Sequence, residues 1–548
     1  MRNLSIFDAA RLGDVSQLEY LIESKVAINV LDGNSISPLI YAVWNGRYQA
    51  VNLLLEARAT VDFAGRDGKT PLIYASQFGH PQCAKILLQA GALVDREDID
   101  DRSALSYAAI CGHADIAAIL LSAGASVDFQ GRYALTPISF ATESGHHDVM
   151  RTLSEAVCLR ETRPIFAAAR EDDTAAVARL ALEDPDCVVA LSAYNQTPLM
   201  YAAIFDCCGA AQALIDAGAT LDDSDECSKT ALMWAMYSGH FATADVLLSA
   251  KANTDIYDAN SLTPLLYAAS TGDVTALQML LEAKANVHLG DDYERTALHT
   301  ATKRNHRDII SALLAARADA DALDDQGRTA LMLAVQAAEL DTVQLLLNAK
   351  AGVDCKDPDG ITALIMATRF GDEDMMRLLI NARADVDART HDMQTALMYA
   401  GEYGGDHLID ILVQARASVD VMDRNETTAL MHLVYSCEAS CVRKLLIAKA
   451  TVDFHGPSQQ TALMTAALIG LEEAVSALLD AKAAVNYQNS ELITPLMLAA
   501  EDGKIGAARL LLQAQASLDA VENTGATALM LAAGAGHTNV IKLLLSQL

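Results

Sequence analysis

Apolar residues recur along the chain in two short runs separated by a glycine. In "TPLIYASQFGHPQCAKILLQAGALVD", which begins at Thr70, the first run follows a Thr-Pro pair and the second contains Leu87-Leu88. The segment "TALMWAMYSGHFATADVLLSAKANTD", which begins at Thr230, has the same order of apolar and polar positions. Two short apolar runs joined by a glycine predict a pair of short helices with a tight turn between them.

The opening Ser or Thr of this unit returns every 33 residues within two long runs of the sequence. Its hydroxyl can accept a backbone N–H at the start of a helix, and a following Pro is tolerated where that N–H has no helical partner. A Gly nine residues later permits the positive backbone angle of a turn. The first run comprises Ser37, Thr70, Ser103 and Thr136, and the second comprises Thr197, Thr230, Thr263, Thr296, Thr329, Thr362, Thr395, Thr428, Thr461, Thr494 and Thr527.

The unit closely resembles the ankyrin repeat. It has the same order of cap, short helix, Gly turn, second helix and Asp-containing loop, and the same period of 33 residues. The resemblance implies an all-α solenoid of helix-turn-helix units with hairpin loops, about 17 repeats in all. Of the family's T-P-L-H start, only Thr296-Ala297-Leu298-His299 keeps the His. We expect thioether packing in its place where Met stands, at Met200, Met233, Met332, Met398, Met431, Met464, Met497 and Met530.

The period slips once, in "LSEAVCLRETRPIFAAAREDD" (residues 153–173). The step from Thr136 to Arg163 is 27 residues, which removes six residues of the projecting hairpin loop, or finger. The segment "PIFAAAREDD" from Pro164 then resembles "SIFDAARLGD" from Ser5. Because terminal repeats of a solenoid differ from internal ones, we predict two arrays with a seam near 159–163; the alternative is one array with a shortened finger.

The first predicted array spans residues 1–159, with repeats that start near 4, 37, 70, 103 and 136. The second spans residues 160–548, with repeats that start near 163, 197, 230, 263, 296, 329, 362, 395, 428, 461, 494 and 527. The repeats near 4 and 163 are degenerate, and the one near 4 has no capping Thr.

Composition narrows the classes of partner and compartment. The chain has 548 residues and a formal net charge of −31, from 71 acidic against 40 basic residues. This charge repels phosphate backbones and argues against nucleic acid as a partner. No secretory signal or apolar spanning stretch is recognisable, so we expect no membrane insertion. Ten scattered cysteines fit a reducing, intracellular compartment, the cytoplasm or the nucleus.

The sequence contains no recognisable catalytic motif, and we expect neither enzymatic activity nor a cofactor. Cys437 and Cys441 lack a second ligand pair at zinc-like spacing, which favours packing over a metal site. The acidic run Asp222 to Glu226 lacks the Gly of a calcium loop and is interpreted as a solvated turn.

The hairpin Asp of each repeat, such as Asp62 or Asp95, is expected to bond local backbone within its own turn. In the family that the sequence resembles, an Asn at this position can be hydroxylated. Asn29 and Asn486 match that position.

An aromatic row stands four residues after the caps, where the resemblance places the concave groove. Aromatic side chains are common interface anchors, because they bury much area at a low entropy cost. The alternative is that the row packs helix against helix. The row comprises Tyr41, Tyr74, Tyr107, Phe140, Tyr201, Trp234 and Tyr267, and Trp44, Phe78, Phe205 and Tyr237 lie one turn along.

The sequence therefore indicates a non-enzymatic scaffold or adaptor that binds other proteins, with these aromatic residues in its groove. The acidic balance favours partner segments with basic or apolar residues. The alternative is the substrate-recognition part of a larger enzyme or ubiquitin-ligase adaptor, and a purely elastic spacer is a third reading. Neither the identity of the partner nor the oligomeric state follows from the sequence.

Overall fold

The computed structural model of the chain describes residues 5–129, 136–192, 194–403, 405–435, 439–455 and 459–547, with only the backbone for Glu143, His147, Glu402 and Tyr403. The chain divides into two compact units, Met1–Asp292 and Tyr293–Leu548. The described secondary structure is helical, apart from the isolated bridges Met422–Thr428 and His455–Thr461.

Eighteen α-helices and one 3-10 helix, Pro185–Val189, are described in the first compact unit. The α-helices are α1 (Ile6–Leu12), α2 (Val15–Glu23), α3 (Pro38–Trp44), α4 (Tyr48–Glu56), α5 (Pro71–Phe78), α6 (Pro81–Gln89), α7 (Ala104–Cys111), α8 (Ala114–Ser122), α9 (Pro137–Glu143), α10 (His147–Cys158), α11 (Pro164–Arg170), α12 (Thr174–Glu183), α13 (Pro198–Ile204), α14 (Cys208–Asp216), α15 (Ala231–Ser238), α16 (Phe241–Ser249), α17 (Pro264–Thr271) and α18 (Val274–Glu282).

Sixteen α-helices are described in the second compact unit. They are α19 (Ala297–Lys303), α20 (Arg307–Ala315), α21 (Ala330–Gln336), α22 (Leu340–Asn348), α23 (Ala363–Phe370), α24 (Glu373–Asn381), α25 (Ala396–Tyr403), α26 (Asp406–Gln414), α27 (Ala429–Tyr435), α28 (Ala439–Ile447), α29 (Ala462–Ile469), α30 (Glu472–Asp480), α31 (Pro495–Glu501), α32 (Ile505–Gln513), α33 (Ala528–Gly534) and α34 (Thr538–Leu545). The described helices form seventeen pairs, as the sequence predicts.

The first helix of each pair begins at the predicted cap. Thr70 is typical: its hydroxyl oxygen accepts the N–H of Ile73 at 3.3 Å. The helix ends at Gly79, whose φ of +73° is the left-handed conformation. A Cβ there would lie 2.7 Å from the His113 ring, so space as well as φ requires glycine. The repeat predicted to lack a capping Thr is capped by Ser5 instead.

Most odd-numbered first helices pack beside the next first helix, and most even-numbered second helices pack beside the next second helix, which gives two helical layers within each compact unit. Ala, Leu and Met side chains fill the space between the layers. The Met row is buried at every predicted position except Met530 in the last repeat, as expected from thioether packing. His299 differs, because its Nε2 hydrogen-bonds the Arg328 carbonyl of the next repeat at 3.1 Å.

The hairpin carboxylates correct one sequence expectation. They bond the next finger instead of their own turn: Asp62 accepts the N–H of Leu93 at 3.2 Å. Asn29 does the same with its Oδ1 and also donates from Nδ2 to the Arg58 carbonyl at 3.2 Å. This finger ladder joins residues 31 apart, at Asn29–Thr60, Asp62–Leu93, Asp95–Ser126, Asp222–Asn253, Asp255–Asn286, Asp321–Gly352, Asp354–Asp385, Asp387–Ser418, Asp420–Thr451, Asp453–Ala484 and Asn486–Ser517.

At the predicted seam, α10 has 12 residues where most second helices have nine, and residues 159–163 lead directly into α11. The short link is bridged by Arg170, which donates to the Cys158 carbonyl at 3.1 Å. The seam lies inside the first compact unit. The division into two arrays there stays a prediction.

Candidate partner-binding site on the first helices

Four members of the aromatic row, Tyr41, Tyr74, Tyr107 and Trp234, are tied to the fingers by hydrogen bonds. The hydroxyl of Tyr107 donates to Asp98 at 2.7 Å, and the indole N–H of Trp234 donates to Asp225 at 2.9 Å. In each of these last two pairs the Asp stands nine residues before the ring, and its other oxygen accepts backbone N–H groups of the finger. These rings therefore fix the finger in place above the first helix.

Burial corrects the expectation that the whole row is open to a partner. Tyr41 is half-buried, and the remaining members are at most 8% exposed because each packs between neighbouring first helices. The alternative, in which the row packs helix against helix, fits the burial of these remaining members. They are Tyr74, Tyr107, Phe140, Tyr201, Trp234 and Tyr267.

The exposed aromatic surface lies one turn along, in the second and third repeats. Trp44 and Phe78 are 38% and 39% exposed, and their ring centroids are 5.5 Å apart. Tyr41 stacks on one side of Trp44 at 6.4 Å, and Tyr74 lies 5.8 Å from it. Together with Phe7, which meets Tyr41 edge-on at 6.2 Å, these five side chains form a stacked set that we name the aromatic ladder.

The tyrosines of the ladder are tied to carboxylates. Tyr41 donates to Asp32 at 2.7 Å and Tyr74 donates to Asp67 at 3.1 Å. The hydrogen bond to Asp32 raises the pKa of Tyr41, and the N–H of Ile36 is the main cause of the lowered pKa of Asp32. The phenol is therefore neutral and the carboxylate charged at neutral pH, which fixes the ring orientations.

In the eighth and ninth repeats, the candidate aromatic residues surround a buried charged cluster. Lys229 is fully buried, and its Nζ lies 3.6 Å from Asp258 and 5.4 Å from the ring centroid of Tyr237. Tyr237 also donates to Asp258 at 3.1 Å, and its ring centroid lies 3.9 Å from that of Tyr267, with the two planes tilted by 40°. Sequence reasoning missed Lys229 and Asp258, because neither residue type in a loop signals burial.

The same cluster corrects the interpretation of Asp222 to Glu226 as a solvated turn. Asp225 is buried against Trp234, and this burial raises the pKa of the Asp225 carboxyl. Helices of the fifth repeat cover the cluster: Met150 Sδ lies 3.8 Å from Lys229 Nζ, and Thr142 hydrogen-bonds Cys227 at 3.1 Å. The chain itself thus occupies this part of the predicted groove, where Phe205 is half-buried.

The sequence profile described as "Ankyrin repeats (3 copies)" matches residues 6–98, 93–162, 209–291, 265–357, 337–423, 397–489 and 481–548. The chain belongs to the ankyrin-repeat family. The ankyrin profile leaves residues 163–208 unmatched, and these include the degenerate sixth repeat. None of the curated proteins compared with the chain matches it.

No group of three metal-ligating side chains converges among the described residues of these ankyrin repeats. Cys441 is buried, with its Sγ 3.2 Å from an Asp406 carboxylate oxygen, whereas Cys437 lies outside the described residues. Within the described part of the chain, every helix is too short or too polar to cross a membrane.

The aromatic ladder is the part of the ankyrin first-helix layer with the chemistry of an interface anchor. Its exposed indole and phenyl rings can take up an apolar or aromatic side chain, or a cation against a ring face. Stacking among the five rings fixes their positions before a partner arrives, which lowers the entropy cost of binding.

Proposed function

We propose that this ankyrin-repeat protein is a non-enzymatic scaffold that holds a partner protein segment against the aromatic ladder. Ankyrin repeats are generally protein–protein interaction modules. What carries the proposal is the exposure of Trp44 and Phe78, one turn along from a row of aromatic rings that is buried from Tyr74 to Tyr267.

Exposed tryptophan and phenylalanine side chains lose little entropy and bury much apolar area when a partner covers them. Trp44 and Phe78 are also supported from behind by the rings of Tyr41 and Tyr74. The chain carries an excess of acidic residues, 71 against 40. A segment with an apolar side chain flanked by basic residues is the partner that these features favour.

Crosslinking mass spectrometry on the native protein tests the proposal. The double variant Trp44→Ser, Phe78→Ser removes both exposed rings. We expect it to lose the partner crosslinks of the second and third repeats, and to bind the identified partner about 30-fold more weakly, since an interface anchor contributes about 2 kcal/mol.

The matched control is Tyr48→Ser, which removes an exposed aromatic ring from the second-helix layer of the same repeats. Its partner crosslinks should equal those of the unmodified protein. If the double variant also keeps all of its partners, the ladder is not the binding site.

A further inference from the structure

In the second compact unit, two first helices, α19 and α23, carry cations on their exposed side. Lys303 and Arg369 stand seven residues after their caps, and Arg304 stands eight after its cap. All three side chains are exposed. Because α19 and α23 are separated only by α21 in the same layer, the three charges face the same side of that layer.

Some other basic residues of the unit pair with carboxylates. Arg307 lies 2.5 Å from Asp341, and Lys444 lies 2.6 Å from Asp410. Among the described residues, no ion pair includes Lys303, Arg304 or Arg369. In a chain with net charge −31, three exposed cations on one face, outside the described ion pairs, attract anionic groups locally.

Two exposed rings continue the same face. Phe370 is 59% exposed beside Arg369, and Tyr435, seven residues after its cap on α27, is 57% exposed. The guanidinium of Arg369 lies 5.7 Å from the ring centroid of Tyr399, which holds the charge among aromatic side chains. We name Lys303, Arg304, Arg369, Phe370 and Tyr435 the cation strip.

The spacing of helices sets the geometry of a ligand. Packed helices lie about 8–10 Å apart, so the two steps from α19 to α23 cover about 16–20 Å. An extended peptide rises about 3.3 Å per residue, and therefore spans that distance in about five or six residues. The first exposed ring of the strip, Phe370, lies beside Arg369 on α23.

We propose that the cation strip binds an acidic peptide segment with carboxylates about five or six residues apart and an apolar side chain beside the second. This inference rests on the proposed scaffold function and names a second partner chemistry for it. At this face the local charges favour acidic residues, although the net charge of the chain favours basic ones. Charge complementarity here would act mainly on specificity and association rate.

Selection of phage-displayed random dodecapeptides on the full-length chain tests the proposal. We expect the enriched peptides to carry a net negative charge and at least one large apolar residue. A fluorescein-labelled synthetic copy of the most enriched peptide then serves as the probe in fluorescence anisotropy, and its affinity should fall as ionic strength rises.

The variant Lys303→Glu, Arg304→Glu, Arg369→Glu reverses the charge of the strip at exposed positions. We expect it to weaken binding of the probe by more than about tenfold, since like charges across an interface are strongly unfavourable. The control variant Arg377→Glu, Arg443→Glu, Arg509→Glu makes the same change in net charge on exposed second-helix positions. It should bind the probe as the unmodified chain does.

Enrichment of neutral or basic peptides, no enrichment at all, or equal loss of binding in both triple variants would each overturn the proposal. The variant Trp44→Ser, Phe78→Ser separates it from the ladder. Probe binding that survives this variant, combined with unchanged partner crosslinks, means that the ladder proposal fails and the strip stands. If the ladder variant instead loses its partner crosslinks, and reversing the charge of the strip leaves probe binding unchanged, then the strip proposal fails and the ladder proposal stands.

Discussion

Three aromatic residues of the first-helix layer, Tyr41, Tyr107 and Trp234, each donate a hydrogen bond to an Asp nine positions earlier. Asp98 shows the arrangement: one oxygen accepts the N–H of Asp100 and of Arg102, and the other accepts the Tyr107 hydroxyl. A buried carboxylate needs several donors to offset its loss of hydration. Tyr107 thus contributes a hydrogen bond to the finger in addition to its apolar contacts.

Tyr107→Phe tests this hydrogen bond. The ring remains, but Asp98 Oδ2 loses its donor in a buried site, and we expect the local free energy of unfolding to fall by about 1–3 kcal/mol. Because repeat arrays open locally, amide hydrogen exchange at Arg102 is the measurement that reports it. Tyr48→Phe, at an exposed ring, should leave exchange unchanged; unchanged exchange in Tyr107→Phe as well would show that the bond contributes nothing.

At the scale of the element, most described fingers are tied to the next finger by one side chain. Asp420 accepts both the N–H and the hydroxyl of Thr451, at 2.8 and 2.6 Å. These bonds cross between successive repeats, so they stabilise the stacking of fingers and not the single turn. The finger ladder accounts for the recurrent Asp better than a local turn does.

Asp420→Ala is expected to raise amide exchange at Thr451 by about fivefold, since a net hydrogen bond contributes about 1 kcal/mol. Asp392→Ala is the control within the second compact unit. Among the described residues, its carboxylate makes an exposed ion pair with Arg424 at 3.5 Å, and such pairs contribute little. Equal exchange at Thr451 in both variants would contradict a stabilising role for the ladder.

At the scale of the whole molecule, the missing finger at the seam has two consequences. No described member of the finger ladder lies between Ser126 and Asp222. The fifth repeat instead covers the buried Lys229 cluster through Met150 and Thr142. Lost stacking between successive fingers is thus accompanied by packing against repeats further along the chain.

Limited proteolysis tests the predicted division into two arrays. Leu159 is 64% exposed and residues 159–163 belong to no helix, so we expect the first cut between Leu159 and Thr162. The two sides of the cut should then unfold in separate transitions, measured by pulse proteolysis in urea. Resistance of this link, with cooperative unfolding of the whole chain, would favour a single array with a shortened finger.

Much of the repeat could be predicted because its causes are local. A hydroxyl oxygen that accepts the N–H three residues later, a Pro at a helix start and a Gly in a turn all act within one repeat. Thr70 and Gly79 therefore signal their conformations directly. The Met row was predictable for a related reason, since a residue at a constant helical position meets the same neighbours in every repeat.

The sequence by itself thus determined the repeat, its boundaries and the set of aromatic candidates. Only the tertiary structure decided which candidates are exposed: Trp44 and Phe78 stack in the open, while Trp234 is buried beside Lys229 under the fifth repeat. Exposure depends on neighbours that come from other repeats. The contact of Met150 with Lys229 joins residues 79 positions apart, and a period of 33 carries no information about it.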